Sequence, residues 1–78
     1  MTRDQILEVI RQNVAEIEPA VAGQLSQCAS WSSLGLDSME RSELIMMTLD
    51  DLSTRIPILE FAGASNICEM ADIIARFL

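Results

Sequence analysis

Three places along the chain carry the sequence signal that starts an α-helix. At each of them, a residue whose side chain can cap a helix is followed three residues later by Glu or Gln, which is the spacing of a capping box. The pairs are Thr2 with Gln5, Asp37 with Glu40, and Asn66 with Glu69. In the runs that follow the first and last pairs, apolar residues recur every three or four positions. The chain is therefore predicted to be all-α, a small bundle of three main helices plus one short helix.

The limits of these helices follow from the residues that interrupt them. The first is predicted to begin near Thr2 and to end at about Pro19, since proline breaks a helix interior. The second is predicted over residues 38–53, before an Ile56–Pro57 break, and a short third helix near Glu60–Ala62 is predicted to end at Gly63. The predicted core faces are Ile6, Leu7, Ile10, Val14 and Ile17 in the first helix, and Ile67, Met70, Ala71, Ile74, Phe77 and Leu78 in the last.

Residues 18–37, between the first two main helices, are predicted to form a long loop. The segment holds Pro19, Gly23, Gly35 and several serines. A loop of this length in a small domain indicates either function or side chains that anchor it. The available apolar anchors are Leu25, Trp31, Leu34 and Leu36. We interpret Trp31 as a core residue beneath the loop rather than as a side chain that stacks on a ligand.

Length and charge restrict the classes of function. The 78 residues suffice for a single domain, 1–78, and half of them are hydrophobic while only 4% are aromatic. Twelve acidic residues against five arginines give a net charge of −7. This charge disfavours binding to nucleic acid or to an anionic membrane. It favours a monomer that is attracted to basic partners, although acidity can also serve solubility alone.

The sequence lacks the residues of several common active sites. It contains no His and no Lys, which removes the most frequent general base and the Schiff-base amine. Cys28 and Cys68 lie far apart without the spacing of metal ligands, so no zinc site is predicted. Both are predicted to be reduced thiols in a cytoplasmic protein. No apolar run approaches the length that spans a membrane.

One short stretch, residues 34–39, has the properties of a modification site. It places Ser38 in the first turn of a helix, directly after a loop that contains Gly35. Unpaired amides and the helix dipole favour an anion such as a phosphodiester at this position. The carboxylates of Asp37 and Glu40 oppose that charge, and a metal ion held by a modifying enzyme is one way to offset them. Taken alone, Ser38 has the position of an ordinary cap or solvated serine.

These features together resemble the acyl carrier protein family. The resemblance covers nearly the whole chain: an amphipathic first helix, a long loop, the Leu-Gly-Leu-Asp-Ser motif at residues 34–38, an acidic second helix, an Ile-Pro break and an amphipathic last helix. It implies that a phosphopantetheinyl transferase attaches 4′-phosphopantetheine to Ser38, beside Asp37. It further implies that the chain is a carrier rather than an enzyme, and that the second helix recognises partners.

A narrower resemblance concerns residues 45–67. The runs 45–52, 56–57, 60–64 and 66–67 are similar to the discrete donor carrier proteins of polyketide β-branching cassettes. This implies an acetyl cargo, an enzyme like hydroxymethylglutaryl (HMG) synthase that adds the acetyl group to a β-carbonyl, and a ketosynthase-like enzyme that loads or decarboxylates the cargo. Met39, Arg41 and Leu49 depart from the common carrier pattern, which argues against free exchange with fatty-acid enzymes. A generic elongation carrier and a helical adaptor without a prosthetic group stay open as alternatives.

The rotation of the second helix is not fixed by its periodicity, because apolar residues occur on more than one side. If Ser38 faces solvent, Ser42, Met46 and Leu49 lie below it on the same face. The opposite side, with Leu44, Thr48 and Leu52, then becomes the predicted core face, and Ile45 and Met47 are borderline. A rotated helix that buries Met46 and Leu49 is the alternative. The predicted recognition surface consists of Met39, Glu40, Arg41, Ser42, Glu43, Met46, Leu49 and Asp50.

Overall fold

The computed structural model describes residues 1–21 and 28–78. Its helices are α1 (Arg3–Ile17), α2 (Trp31–Leu34), α3 (Ser38–Asp51) and α4 (Ile67–Phe77), with two 3₁₀ turns at Pro19–Val21 and Ile58–Phe61. Within the described ranges the only β-type pairing is an isolated bridge between Ser30 and Asn66. The predicted all-α architecture is confirmed. The predicted short third helix corresponds to the second 3₁₀ turn, which ends before Gly63.

The predicted helix starts are confirmed at all three positions. Thr2 and Asp37 each form a reciprocal capping box with the residue three positions later. Asn66 also caps α4, accepting a hydrogen bond from the amide of Glu69 at 2.8 Å.

A complete capping box at the start of α4 would also have the carboxylate of Glu69 accept from the amide of Asn66. This part of the prediction is wrong. The carboxylate of Glu69 instead accepts from the hydroxyl and the amide of Ser65, at 2.6 and 2.9 Å. These two hydrogen bonds stabilise the charged form and hold the pKa of Glu69 below its ordinary value. The start of α4 is thus fixed by the residue before its cap.

The core lies where α1 packs against α3 and α4. The buried residues of α1 and α4 include the predicted Ile6, Leu7, Ile10, Val14, Ile67, Met70, Ala71 and Ile74. Phe77 and Leu78 were predicted to join them but are about half exposed, at 48% and 55%. Arg3, at the first residue of α1, pairs with Asp72. The C-terminal end of α4 therefore extends beyond the start of α1, and Phe77 and Leu78 do not reach the core.

A buried polar contact helps to fix the rotation of α3 against α1. The amide nitrogen of Asn13 donates to Thr48 Oγ1 at 3.1 Å and to Asp51 Oδ2 at 3.0 Å. Thr48 and Leu44 are fully buried, as predicted. Because these residues face α1, the opposite side of α3 is directed toward solvent.

Part of the segment predicted as a loop, residues 18–37, is ordered as helix. Ser30 caps α2, and Gly35 ends it with a φ of +70°, a left-handed conformation that glycine adopts without strain. Trp31 is buried, as predicted, and its indole nitrogen donates to the carbonyl oxygen of Ala64 at 2.8 Å. Leu34 and Leu36 are also buried. The predicted anchor Leu25 lies outside the described residues.

The two cysteines form a disulfide bond, so the prediction of reduced thiols is wrong. Cys28 and Cys68 are separated by 40 residues in sequence, but their Cα atoms are 5.0 Å apart. The fold brings them together because Ala29 and Ile67, their neighbours, share a backbone hydrogen bond of 3.1 Å. The bond fixes the segment before α2 to the first turn of α4.

Loss of this crosslink is expected to lower the free energy of unfolding by roughly 2–4 kcal/mol, because the unfolded chain regains the entropy of a long closed loop. The measurement is chemical unfolding of the wild type and of a Cys28→Ser, Cys68→Ser double variant, each with and without a reductant. The reductant should destabilise only the wild type. Alkylation of both thiols in the native, unreduced protein would contradict the prediction.

Candidate functional site

Ser38 is the first residue of α3 and its side chain is exposed. The buried Leu36, two residues earlier, anchors the chain that leads into the helix. Asp37 adopts the extended conformation of an N-cap, and its carboxylate accepts from the amide of Glu40 at 2.8 Å. The serine hydroxyl is thus presented to solvent on a rigid helical turn, where an enzyme can reach it.

The electrostatic environment of Ser38 has contributions of both signs. Asp37 and Glu40 form the capping box of α3, in which the amide of Asp37 donates to the carboxylate of Glu40 at 3.2 Å. Within the described part of the chain, no hydrogen-bond acceptor is seen for the amides of Ser38 and Met39. Free amides at a helix start attract anions, whereas the two carboxylates of the capping box repel them. The helix end alone therefore gives an incomplete site for a phosphodiester.

A groove opens on one side of Ser38, between α3 and the second 3₁₀ turn. Its volume is about 210 Å³. The lining residues are Trp31, Ser38, Arg41, Ser42, Ile45, Ile58, Phe61, Ala62 and Ala64. Trp31, Ile45 and Phe61 are largely buried and give the groove an apolar floor, whereas Ser38, Arg41 and Ser42 supply its polar edge. We refer to it as the arginine groove.

A second depression lies on the other side of Ser38. It is lined by Ser38, Met39, Ser42, Glu43, Met46 and Met47. Met39 and Met46 are 81% and 66% exposed, an unusual exposure for large apolar side chains, and methionine adapts readily to different partners. We refer to it as the methionine face. Its single charged residue is the acid Glu43.

The predicted recognition residues do not all have the predicted exposure. Met39, Glu43, Met46 and Asp50 are exposed, while Glu40, Arg41 and Ser42 are half-buried. Leu49 was predicted to be exposed beside Met46, but it is half-buried and packs against the core. The 3.6-residue repeat places Leu49 at the border between the solvent side and the core side of α3, which explains the difference.

Sequence reasoning missed the residues that approach Ser38 from outside α3. Ile58, Phe61, Ala62 and Ala64 line the arginine groove although they follow Ser38 by 20 or more positions. The available signal was the Ile56–Pro57 break, which directs the chain back toward the start of α3. Ile58 and Leu59, directly after it, are also exposed apolar residues.

Two further classes of site find no support in the part of the chain that is described. Residues 1–21 and 28–78 contain no cluster of three or more metal-ligating side chains. In the same ranges, none of the helices has the length and apolar character needed to cross a bilayer.

Comparisons with known proteins find similarity along nearly the whole chain. The family profile described as "Phosphopantetheine attachment site" matches residues 8–74. The chain is 37% identical over 75 residues to the polyketide biosynthesis acyl-carrier-protein AcpK of Bacillus subtilis (strain 168). The aligned residues cover 95% of this chain and 92% of that protein.

A solved structure is similar as well. One chain of the "Crystal Structure of the Curacin Biosynthetic Pathway HMG Synthase in Complex with Acetyl Donor-ACP" superimposes with a TM-score of 0.89 and 43% identity, over 97% of this chain and 99% of that chain.

Proposed function

Because the chain belongs to the acyl carrier protein family, whose members carry a phosphopantetheine attachment site, we propose that Ser38 is its attachment point and that the protein donates an acetyl group to an HMG-synthase-like enzyme in polyketide β-branching. The observation that carries the proposal is the exposed hydroxyl of Ser38 at the first turn of α3, within the matched region. The finer assignment, that of the acetyl donor, rests on the similarity to the curacin complex.

The residues around Ser38 fit a phosphopantetheine arm. The attachment oxygen is exposed, the amides of Ser38 and Met39 face an incoming phosphate group, and the arginine groove offers an apolar floor next to it. When bound, the arm supplies a thiol that carries an acyl group as a thioester. The chain itself supplies a rigid base for the arm and a surface that partners recognise, and we propose that it acts as a carrier rather than as an enzyme.

The methionine face is the surface that we assign to the HMG-synthase-like partner. Met39 and Met46 offer apolar contact area next to the attachment point, and Glu40, Glu43 and Asp50 surround it with negative charge. Apolar anchors supply most of the energy of an interface, while peripheral charges accelerate association. The phosphopantetheinyl transferase and a loading or decarboxylating ketosynthase-like enzyme are the further proposed partners. The cytoplasm is the proposed location, and the disulfide bond between Cys28 and Cys68 is then an exception among proteins of that compartment.

The proposal predicts that the protein discriminates between acceptor enzymes. The holo protein, loaded with acetyl, should transfer its cargo to an HMG-synthase-like enzyme at least about tenfold faster than to a fatty-acid condensing enzyme, a difference of roughly 1.4 kcal/mol. Met39 and Arg41, which flank Glu40 in the first turn of α3, are the expected source of the difference.

The measurement is single-turnover loss of acetyl, followed by intact mass, with a fatty-acid carrier protein as the matched control. The control should show the reverse preference. Equal rates with both enzymes would favour the alternative, a generic elongation carrier, and an unmodified Ser38 after exposure to a transferase would favour a helical adaptor.

A further inference from the structure

The charges around Ser38 differ between its two sides and bear on where a phosphopantetheine arm is held. A phosphodiester on Ser38 lies next to the carboxylates of Asp37 and Glu40, in a protein with a net charge of −7. The two depressions that flank Ser38 differ in the sign of their charged residue. The methionine face contains Glu43, whereas the other groove contains Arg41. An anion attached between them is therefore attracted to one side and repelled from the other.

Arg41 is suitably placed to provide this attraction. It follows Ser38 by three residues on α3, so the two side chains are neighbours on the helix surface. Both residues line the arginine groove together with Ser42. The ion pairs found within the described ranges join Arg3 to Asp72 and Arg11 to Glu8, and neither involves Arg41. Arg41 is half-buried and lines a groove with an apolar floor, where solvent screens a charge less than on an open surface.

We propose that Arg41 is the positioning residue for the arm: its guanidinium, assisted by the hydroxyl of Ser42, binds the phosphodiester and directs the arm into the arginine groove and away from the methionine face. Arginine suits this role because its planar group of donors matches phosphate oxygens. The arm of the free carrier then rests over Trp31 and Phe61, and the methionine face stays available for a partner. This inference rests on the proposed attachment at Ser38.

The test compares the arm's position in three holo proteins whose loading is verified by intact mass. They are the wild type, Arg41→Gln and the charge-matched control Arg55→Gln. Arg55 follows the C-terminal end of α3 and lines a separate depression with Met46 and Leu49, which does not include Ser38. The readouts are the ³¹P chemical shift of the phosphodiester and the holo-minus-apo NMR shifts of the Trp31 indole, Ala64 and Met46. The chain has one tryptophan, so its indole signal is unambiguous.

In the wild type and in Arg55→Gln, attachment of the arm should shift the signals of Trp31 and Ala64 and leave Met46 nearly unchanged. Arg41→Gln should reduce the shifts at Trp31 and Ala64 by about half or more, as expected for loss of a partly exposed ion pair. High salt should reproduce the effect in the wild type, because screening weakens the same contact. The salt titration does not depend on whether the variant is a good substrate for the transferase.

Two results separate this inference from the function on which it rests. If the wild type gains no arm, the attachment at Ser38 and the role of Arg41 are both wrong. If Arg41→Gln carries the arm with the same ³¹P shift and the same shifts at Trp31 and Ala64 as the wild type, only the role of Arg41 is overturned. Larger shifts at Met46 than at Trp31 in the wild type would also overturn it, since the arm would then lie on the methionine face.

Discussion

Replacing Ser38 by alanine is expected to abolish the mass gain of the phosphopantetheine arm completely. The arm is attached through an oxygen, and alanine offers none. Co-expression with a phosphopantetheinyl transferase, followed by intact-protein mass spectrometry, measures the effect directly. The variant should remain wholly in the apo form under conditions in which the wild type is converted to the holo form.

The same substitution should leave the fold intact. Ser38 is exposed, and in the described part of the chain its hydroxyl takes part in no hydrogen bond, while Asp37 supplies the cap of α3. Alanine also has a higher helix propensity than serine. The free energy of unfolding should therefore change by less than about 0.5 kcal/mol. Loss of modification together with unfolding would leave the role of Ser38 unsupported.

Ser32→Ala provides the matched control. Ser32 is an exposed serine on α2, six residues before Ser38, and it lines neither of the depressions that flank Ser38. Its removal should leave the mass gain in place. A Ser38→Ala protein that still gained the arm, or a Ser32→Ala protein that did not, would refute the assignment of the attachment site.

The parts of the fold that could be predicted from the sequence are those set by local interactions. The caps at Thr2, Asp37 and Asn66 involve residues three positions apart, so the spacing of the residues was sufficient to locate them. The apolar periodicity of α1 identified its buried face for the same reason.

The wrong predictions concern contacts between distant residues. The disulfide bond joins Cys28 to Cys68, and nothing local to either cysteine indicates that the chain brings them together. Phe77 continues the apolar pattern of α4, but its burial depends on how far α1 extends beside it. α2 was assigned to a loop because four residues are too few for a periodic signal, and its stability comes from contacts of Trp31 with Ala64 and Ser65.

The same distinction between local contacts and contacts of distant residues applies to the candidate site. Ser38, Asp37 and Glu40 lie within one turn, and the sequence located all three. The arginine groove also needs Phe61 and Ala64, which only the tertiary fold places beside Ser38. The rotation of α3 was left open by its periodicity, and it is fixed by Asn13 on another helix.

This rotation leads to the second large expected effect. Leu44→Ala should lower the free energy of unfolding by roughly 2–5 kcal/mol, because Leu44 is fully buried and its truncation leaves a cavity. In a domain of this size such a loss should lower the melting temperature by more than about 10 °C. Met46→Ala, two residues later on the exposed side, should change the stability by less than about 0.5 kcal/mol.

Binding to the HMG-synthase-like partner should show the reverse pattern. Met46→Ala removes an apolar anchor next to the attachment point and should weaken binding by roughly 1–3 kcal/mol, or about 5- to 150-fold in Kd. Measured below its melting temperature, Leu44→Ala should bind nearly as the wild type does, since Leu44 makes no contact with solvent. Leu49→Ala should show part of both effects, because Leu49 is half-buried against the core at the edge of this surface.

Thermal unfolding and binding of the three variants therefore form one experiment with an internal control. Each residue lies on α3, so a general disturbance of the helix would affect all three alike, whereas a fixed rotation separates them. If Met46→Ala destabilised the fold as much as Leu44→Ala, α3 would be rotated from the position described here. If Met46→Ala left both the stability and the affinity unchanged, the helix would be correctly placed, but the partner would approach the carrier from another side, with the exposed Ile58 and Leu59 as the next residues to test.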